Sequence, residues 1–205
     1  MALEYWNTAP VASIIFIFTI VTSIYAFNNT QLFGKFMLHP YSLAKGGKLY
    51  TFITSGLIHA DWMHLFFNMF TFFFFAFRLE TMIGHWQFAV LYFVSLVVSD
   101  IPTAIKHKND YRYSSLGASG AISAVLFSYI LFDPLNLILV MFIPMPAILF
   151  GVLYLAYCMY MSKNARDHIN HDAHFFGALT GLILTVILVP GVISHFLNQL
   201  SSIWQ

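Results

Sequence analysis

Charge is what this chain has least of. Only 8% of its 205 residues are Asp, Glu, Lys or Arg, against about a quarter in soluble domains. So few charges cannot cover a water-facing surface, and a soluble globular protein is excluded. The formal net charge is +1 and no basic stripe occurs, so nothing favours a nucleic-acid partner. There is a single cysteine, Cys158, which excludes an intrachain disulfide and any metal motif built on several cysteines. No internal repeat or Gly-x-Gly-Asp motif is present, and no His-Glu-x-x-His pattern that would mark a zinc hydrolase.

Apolar residues fill the space. They make up 60% of the chain, with 23 phenylalanines, and they fall in several long runs. That pattern predicts an all-α, polytopic membrane protein. The expected helices are about 10–27, 57–77, 86–103, 117–132, 147–162 and 172–189, six in all, within one membrane domain over 1–205 and without a soluble domain. The first run lacks the basic residues that precede a signal-peptide core, so it reads as a spanning helix. The connection 28–56 is long and aromatic and is expected in the membrane interface. Pro134 to Pro146 reads as an interfacial loop, and Trp204 as an interface anchor in the tail.

Gly117-Ala118-Ser119-Gly120 organises the chain. A helix from Ser119 to Phe132 is about 21 Å long, shorter than a hydrocarbon core of about 30 Å. Its serine end would therefore lie inside the membrane. Polar groups are tolerated there only in a protein-lined or wet cavity, which makes a functional site the default reading. On the sixth helix His174 precedes Gly177 and Gly181, all on one face. Histidine is the usual base that activates a serine hydroxyl. On the second helix His64 and Asn68 stand four apart and can both donate hydrogen bonds to an oxyanion. Each group also has a bland reading. Small residues and hydrogen-bonding His or Asn are ordinary helix-packing devices in membranes, and His168 and His171 read as interfacial histidines.

Taken together these residues resemble the rhomboid intramembrane serine proteases. The resemblance rests on Gly117-Ala118-Ser119-Gly120, on Ala173-His174-Phe175-Phe176-Gly177 with Gly181, and on His59, His64 and Asn68. Glu80, Gly84 and Tyr92 add to it, and about residues 45–185 are covered. The resemblance implies Ser119 as nucleophile and His174 as base, a dyad without an orienting acid. His64, Asn68 and the Ser119 N–H would form the oxyanion hole, with His59, Glu80, Gly117, Gly120, Gly177 and Gly181 in support. It implies no cofactor and no metal, membrane lipids and transmembrane protein substrates as partners, and a cell inner-membrane location. Residues 163–172 would cap the site.

Two positions depart from the family pattern. Thr51 stands where many members have arginine. Ser123 stands where many carry an aromatic ring that stacks on the histidine, so His174 is expected to be held less firmly. The family's site opens to the non-cytoplasmic side. Yet Lys35, Lys45, Lys48, Lys106, Lys108, Arg112, Lys163 and Arg166 all fall on the Ser119 side, leaving only Arg78 opposite, and the positive-inside rule points the other way. Two other readings remain open: a catalytically silent rhomboid-like protein that binds transmembrane helices, and a metal transporter using His168, His171 and His174. The oligomeric state is left open.

Overall fold

In a computed structural model the described residues are 6–140, 143–164, 167 and 169–201. Arg166, His168 and Trp204, singled out above, lie outside them. The first helix, α1 (Pro10–Phe27), opens on a proline, which loses nothing at a position whose N–H is orphaned anyway. Its first-turn N–H groups are met by a distant carboxylate. Glu80 accepts from the Val11 N–H at 3.1 Å and from the Ala12 N–H at 2.6 Å, and binds Nδ1 of His85 at 2.6 Å. Glu80 is fully buried, so an anion at a helix N-terminus is its solvation.

The 28–56 connection is not irregular. It folds into three short helices, α2 (Thr30–Phe36), α3 (Pro40–Ala44) and α4 (Thr51–Thr54), followed by a 3-10 turn at Ser55–Leu57. Antiparallel pairing of Leu38 with Ser115 ties it to the 107–118 segment.

The second long helix, α5, spans Trp62–Ile83 rather than 57–77. Its start is set by Asp61, whose side chain accepts the His64 N–H at 2.8 Å. Its end is set by Gly84 at φ 94, a conformation that glycine adopts freely. Arg78 and Glu80, beyond the expected end at 77, lie inside it, and His59, within the expected span, lies before it. Helix α6 (His85–Lys106) runs three residues past the expected end at 103 and carries Pro102 inside it. Helix α7 is Ser119–Phe132, 14 residues, the short helix expected from Ser119 and two residues shorter at its start than the 117–132 span. The 134–146 segment is a correction of kind: Leu137–Val140 (β1) and Ile143–Pro146 (β2) pair antiparallel. Pro144 and Pro146 fall on β2 of a two-stranded ribbon, where each strand has a free edge, and Pro134 lies before the ribbon. Helices α8 (Ala147–Asn164), α9 (His171–Leu188) and α10 (Val192–Ser201) follow.

Four of these helices, α1, α5, α6 and α9, are long and apolar enough to cross a membrane. Large apolar side chains, among them Phe66, Phe70, Phe74, Ile183 and Ile187, are exposed on them, as a lipid-facing surface requires. Inside the bundle sits α7, buried at every residue from Gly120 to Leu131. Two backbones meet along it. A Cβ on Gly177 would run into the Gly120 backbone, and one on Gly181 into that of Ala124. This spacing of small residues lets α7 and α9 pack closely. Hydroxyls finish the contact: Ser128 donates to the Gly181 carbonyl at 3.2 Å and Thr185 to Ser128 Oγ at 2.7 Å.

Candidate active site

The close α7–α9 contact sets Ser119 and His174 on one cavity. That cavity, of about 220 Å³, is lined by both residues together with Asn68, Thr71, Ile122, Ser123, Phe150 and Tyr154. Ser119 is the first residue of α7, and no side chain caps the helix. Its first-turn N–H groups therefore point outward without helical acceptors. Gly117, at φ 114, makes the sharp entry into the helix and donates its N–H to the Ser55 carbonyl at 2.9 Å. A Cβ at Gly117 would lie 2.7 Å from Cε1 of His64, so the glycine also makes room for that ring.

The proton on His64 is located by its neighbours. The Ala60 N–H donates to Nδ1 of His64 at 3.3 Å, which leaves Nε2 as the N–H of the neutral ring. That nitrogen would lie 2.8 Å from a Cβ on Gly117, beside the chain entering Ser119. Asn68 gives one amide hydrogen to the His64 carbonyl at 2.9 Å, and the second is left for the cavity it lines. His59 supports from beneath. The Ser23 hydroxyl donates to the Leu57 carbonyl at 3.0 Å, so it accepts from Nδ1 of His59 at 2.9 Å. Burial first, and the nearby His64 second, lower the pKa of His59 to about 3. The neutral ring meets that of His64 edge to face at 4.9 Å.

His174 has a partner that the sequence did not reveal. The Tyr154 ring of α8 lies 6.3 Å from it at an interplanar angle of 20°, and the Tyr154 hydroxyl bonds Ser123 Oγ at 2.8 Å. The aromatic missing at Ser123 is thus supplied from another helix, and Ser123 itself holds it in place. Among the described residues Ser119 and His174 share no hydrogen bond and no carboxylate bonds His174; catalytic hydrogen bonds are often long without substrate.

Asn170 closes the end of the site. Its Oδ1 accepts from Thr103 at 2.9 Å and from the Ala173 N–H at 3.0 Å, capping α9. Its Nδ2 donates to Ser115 Oγ at 3.1 Å. Lys106 pairs with Asp172 at 2.7 Å, and Ser162 also bonds Asp172. These contacts join the ends of α6, α8 and α9.

Fold and pocket define a class: a multi-pass helical membrane protein with a cavity that gathers Ser119, His174 and Asn68 beside a buried short helix. The family model for the Rhomboid domain matches residues 46–191, and the chain belongs to the rhomboid family. It is 34% identical over 147 residues to the Bacillus subtilis (strain 168) protein named "Putative rhomboid protease YdcA", covering 70% of this chain and 69% of that protein. It is 28% identical over 173 residues to "RHOMBOID-like protein 12, mitochondrial" of Arabidopsis thaliana, covering 77% of this chain and 51% of that one. The chain therefore spans about half the length of the Arabidopsis relative.

Proposed function

We propose that the protein is an intramembrane serine endopeptidase that cleaves transmembrane segments of other proteins with a Ser119–His174 dyad. The observation that carries this reading is the shared cavity of Ser119, His174 and Asn68 at an uncapped helix N-terminus. His174 takes the Ser119 proton as the oxygen attacks the scissile carbonyl, then returns it to the leaving amine. The tetrahedral oxyanion is met by the Ser119 N–H, by Nε2–H of His64 and by the free amide hydrogen of Asn68. Tyr154 holds the His174 ring from behind.

Six of the helices, α1, α5, α6, α7, α8 and α9, form the membrane domain in this reading, in the cell inner membrane. Helix α7 begins part-way through the bilayer, and the cavity opens away from the cytoplasm. A cysteine placed at Asn109 on a Cys158→Ser background should react with an impermeant thiol reagent in intact cells. Labelling only after lysis would reverse the orientation.

The dyad is tested with a serine-directed fluorophosphonate. The wild-type chain should be labelled and should cleave a transmembrane substrate, whereas Ser119→Ala should do neither and His174→Ala should lose cleavage. The missing resting hydrogen bond between the two residues favours a second reading, a silent helix-binding rhomboid-like protein. Failure of a folded wild-type chain to label or cleave would select it.

A further inference from the structure

Outside the dyad, the groups best placed for chemistry are Cys158 on α8 and His171 at the start of α9. One ligand atom each from Cys158, His171 and His174 lies within 4.8 Å of the other two. Cys158 is the chain's single cysteine and is fully buried. The His171 side chain is only 2% exposed. Its Nε2 faces both oxygens of Asp167, at 3.2 and 3.3 Å. A carboxylate takes the Nε2–H and so fixes the tautomer, leaving a bare lone pair on Nδ1. That Nδ1 is buried and has no hydrogen-bond partner among the described residues. A buried acceptor without a donor is costly to fold around. Nothing in the proposed hydrolysis uses it.

The same arrangement is what a metal-binding histidine requires. A carboxylate on the far ring nitrogen orients the ring and raises its basicity toward the metal. Two imidazoles and one thiolate with a fourth position open suit a zinc-class cation. Zinc at about 2.0–2.1 Å from nitrogen and about 2.3 Å from sulfur sets neighbouring donor atoms roughly 3.3–3.6 Å apart. The three donor atoms, within 4.8 Å of one another, must draw in by about an ångström to reach that spacing.

We propose that Cys158, His171 and His174 form a binding site for a zinc-class divalent cation, which when filled withdraws the His174 ring from Ser119. The regulatory half rests on the dyad reading above; the site itself does not. Binding exchanges the Cys158 S–H bond for a sulfur–metal bond and releases the proton to solvent. The lone pair of His174 that would accept the Ser119 proton is then engaged by the cation, and the protease is off.

Cobalt(II) titration of the purified full chain in detergent tests the site without any activity. A thiolate-to-cobalt charge-transfer band can come only from Cys158. The band should appear in the wild type, vanish in Cys158→Ala, and be displaced by zinc. It should require roughly 10- to 100-fold more cobalt in Asp167→Asn, where the outer partner of His171 is weakened, and roughly tenfold more or worse in His171→Ala. Circular dichroism confirms that each variant is folded. Absence of the band in the wild type, or an unchanged titration in both His171→Ala and Asp167→Asn, overturns the site. Zinc should inhibit cleavage by the wild type, and roughly tenfold less potently in Asp167→Asn. Equal potency overturns the regulation. A cobalt band in a chain that never cleaves would uphold the site and overturn the protease reading instead.

Discussion

The ring of Tyr154 lies nearly parallel to that of His174, and its hydroxyl is anchored on Ser123, four residues after Ser119. The ring that meets His174 comes from α8 and not from α7. Removing the ring in Tyr154→Ala should lower kcat by roughly 2- to 10-fold, the worth of an aromatic pair of about 0.5–1.5 kcal/mol. Tyr154→Phe keeps the ring and should lose less. Equal losses in the two variants, measured as kcat on one transmembrane substrate, would assign the effect to the hydroxyl.

Asn68 donates to the His64 carbonyl with one hydrogen and turns the other to the cavity. Loss of one oxyanion donor costs about 2.7–4 kcal/mol, or roughly a hundred- to a thousandfold in kcat. Asn68→Ala should show a fall in that direction with KM little changed, because the bond strengthens in the transition state. The Ser119 N–H and His64 would still donate and soften it. If Asn68 only holds α5 together, the variant will instead lose thermal stability while its folded fraction turns over normally.

Gly177→Ala puts a methyl group against the Gly120 backbone. A rigid backbone cannot swing aside as a side chain does, so α7 and α9 must separate. Overpacking of this kind costs about 1–3 kcal/mol or more. Both the melting temperature and kcat should fall together, since the same contact aligns Ser119 with His174. A variant with full stability would show that the two helices have slack.

Glu80 is an interior carboxylate with three donors. Glu80→Ala would orphan the Val11 and Ala12 N–H groups and should destabilise the fold by roughly 3–5 kcal/mol, as when one side of a buried charged network is deleted. Glu80→Gln keeps an acceptor oxygen and should be milder. A melting curve of each in detergent, with α1 as the first element to become protease-sensitive, checks the assignment.

The site was more legible in the sequence than the fold around it. Ser119 and His174 announce themselves because each is set among glycines at helix spacing, and that spacing is local. Asp61, a cap four residues after the 3-10 turn, decides where α5 begins, yet an apolar run from Leu57 hides it. Glu80 looked like the polar end of a helix, because its true partners lie 68 and 69 residues away in α1. Tyr154 was invisible for the same reason: in an apolar run every aromatic resembles every other until packing chooses one. The 137–146 ribbon was masked by Pro144 and Pro146, which argue against strands everywhere except along an unpaired edge.

Helix α7 is wrapped on every side, and one of its walls, α9, starts some fifty residues after it does. During synthesis the serine helix therefore waits, with the hydroxyl of Ser128 still lacking its bonds to Gly181 and Thr185. Ser128 meanwhile donates to the Ala124 carbonyl of its own helix at 2.8 Å, and the arrival of α9 adds the other bonds and brings His174 to the cavity. If Ser119 and His174 are the proposed dyad, assembly and activation are one step. In that reading a chain interrupted before α9 holds a nucleophile with no base, an inert intermediate that cannot attack the membrane in which it is being built.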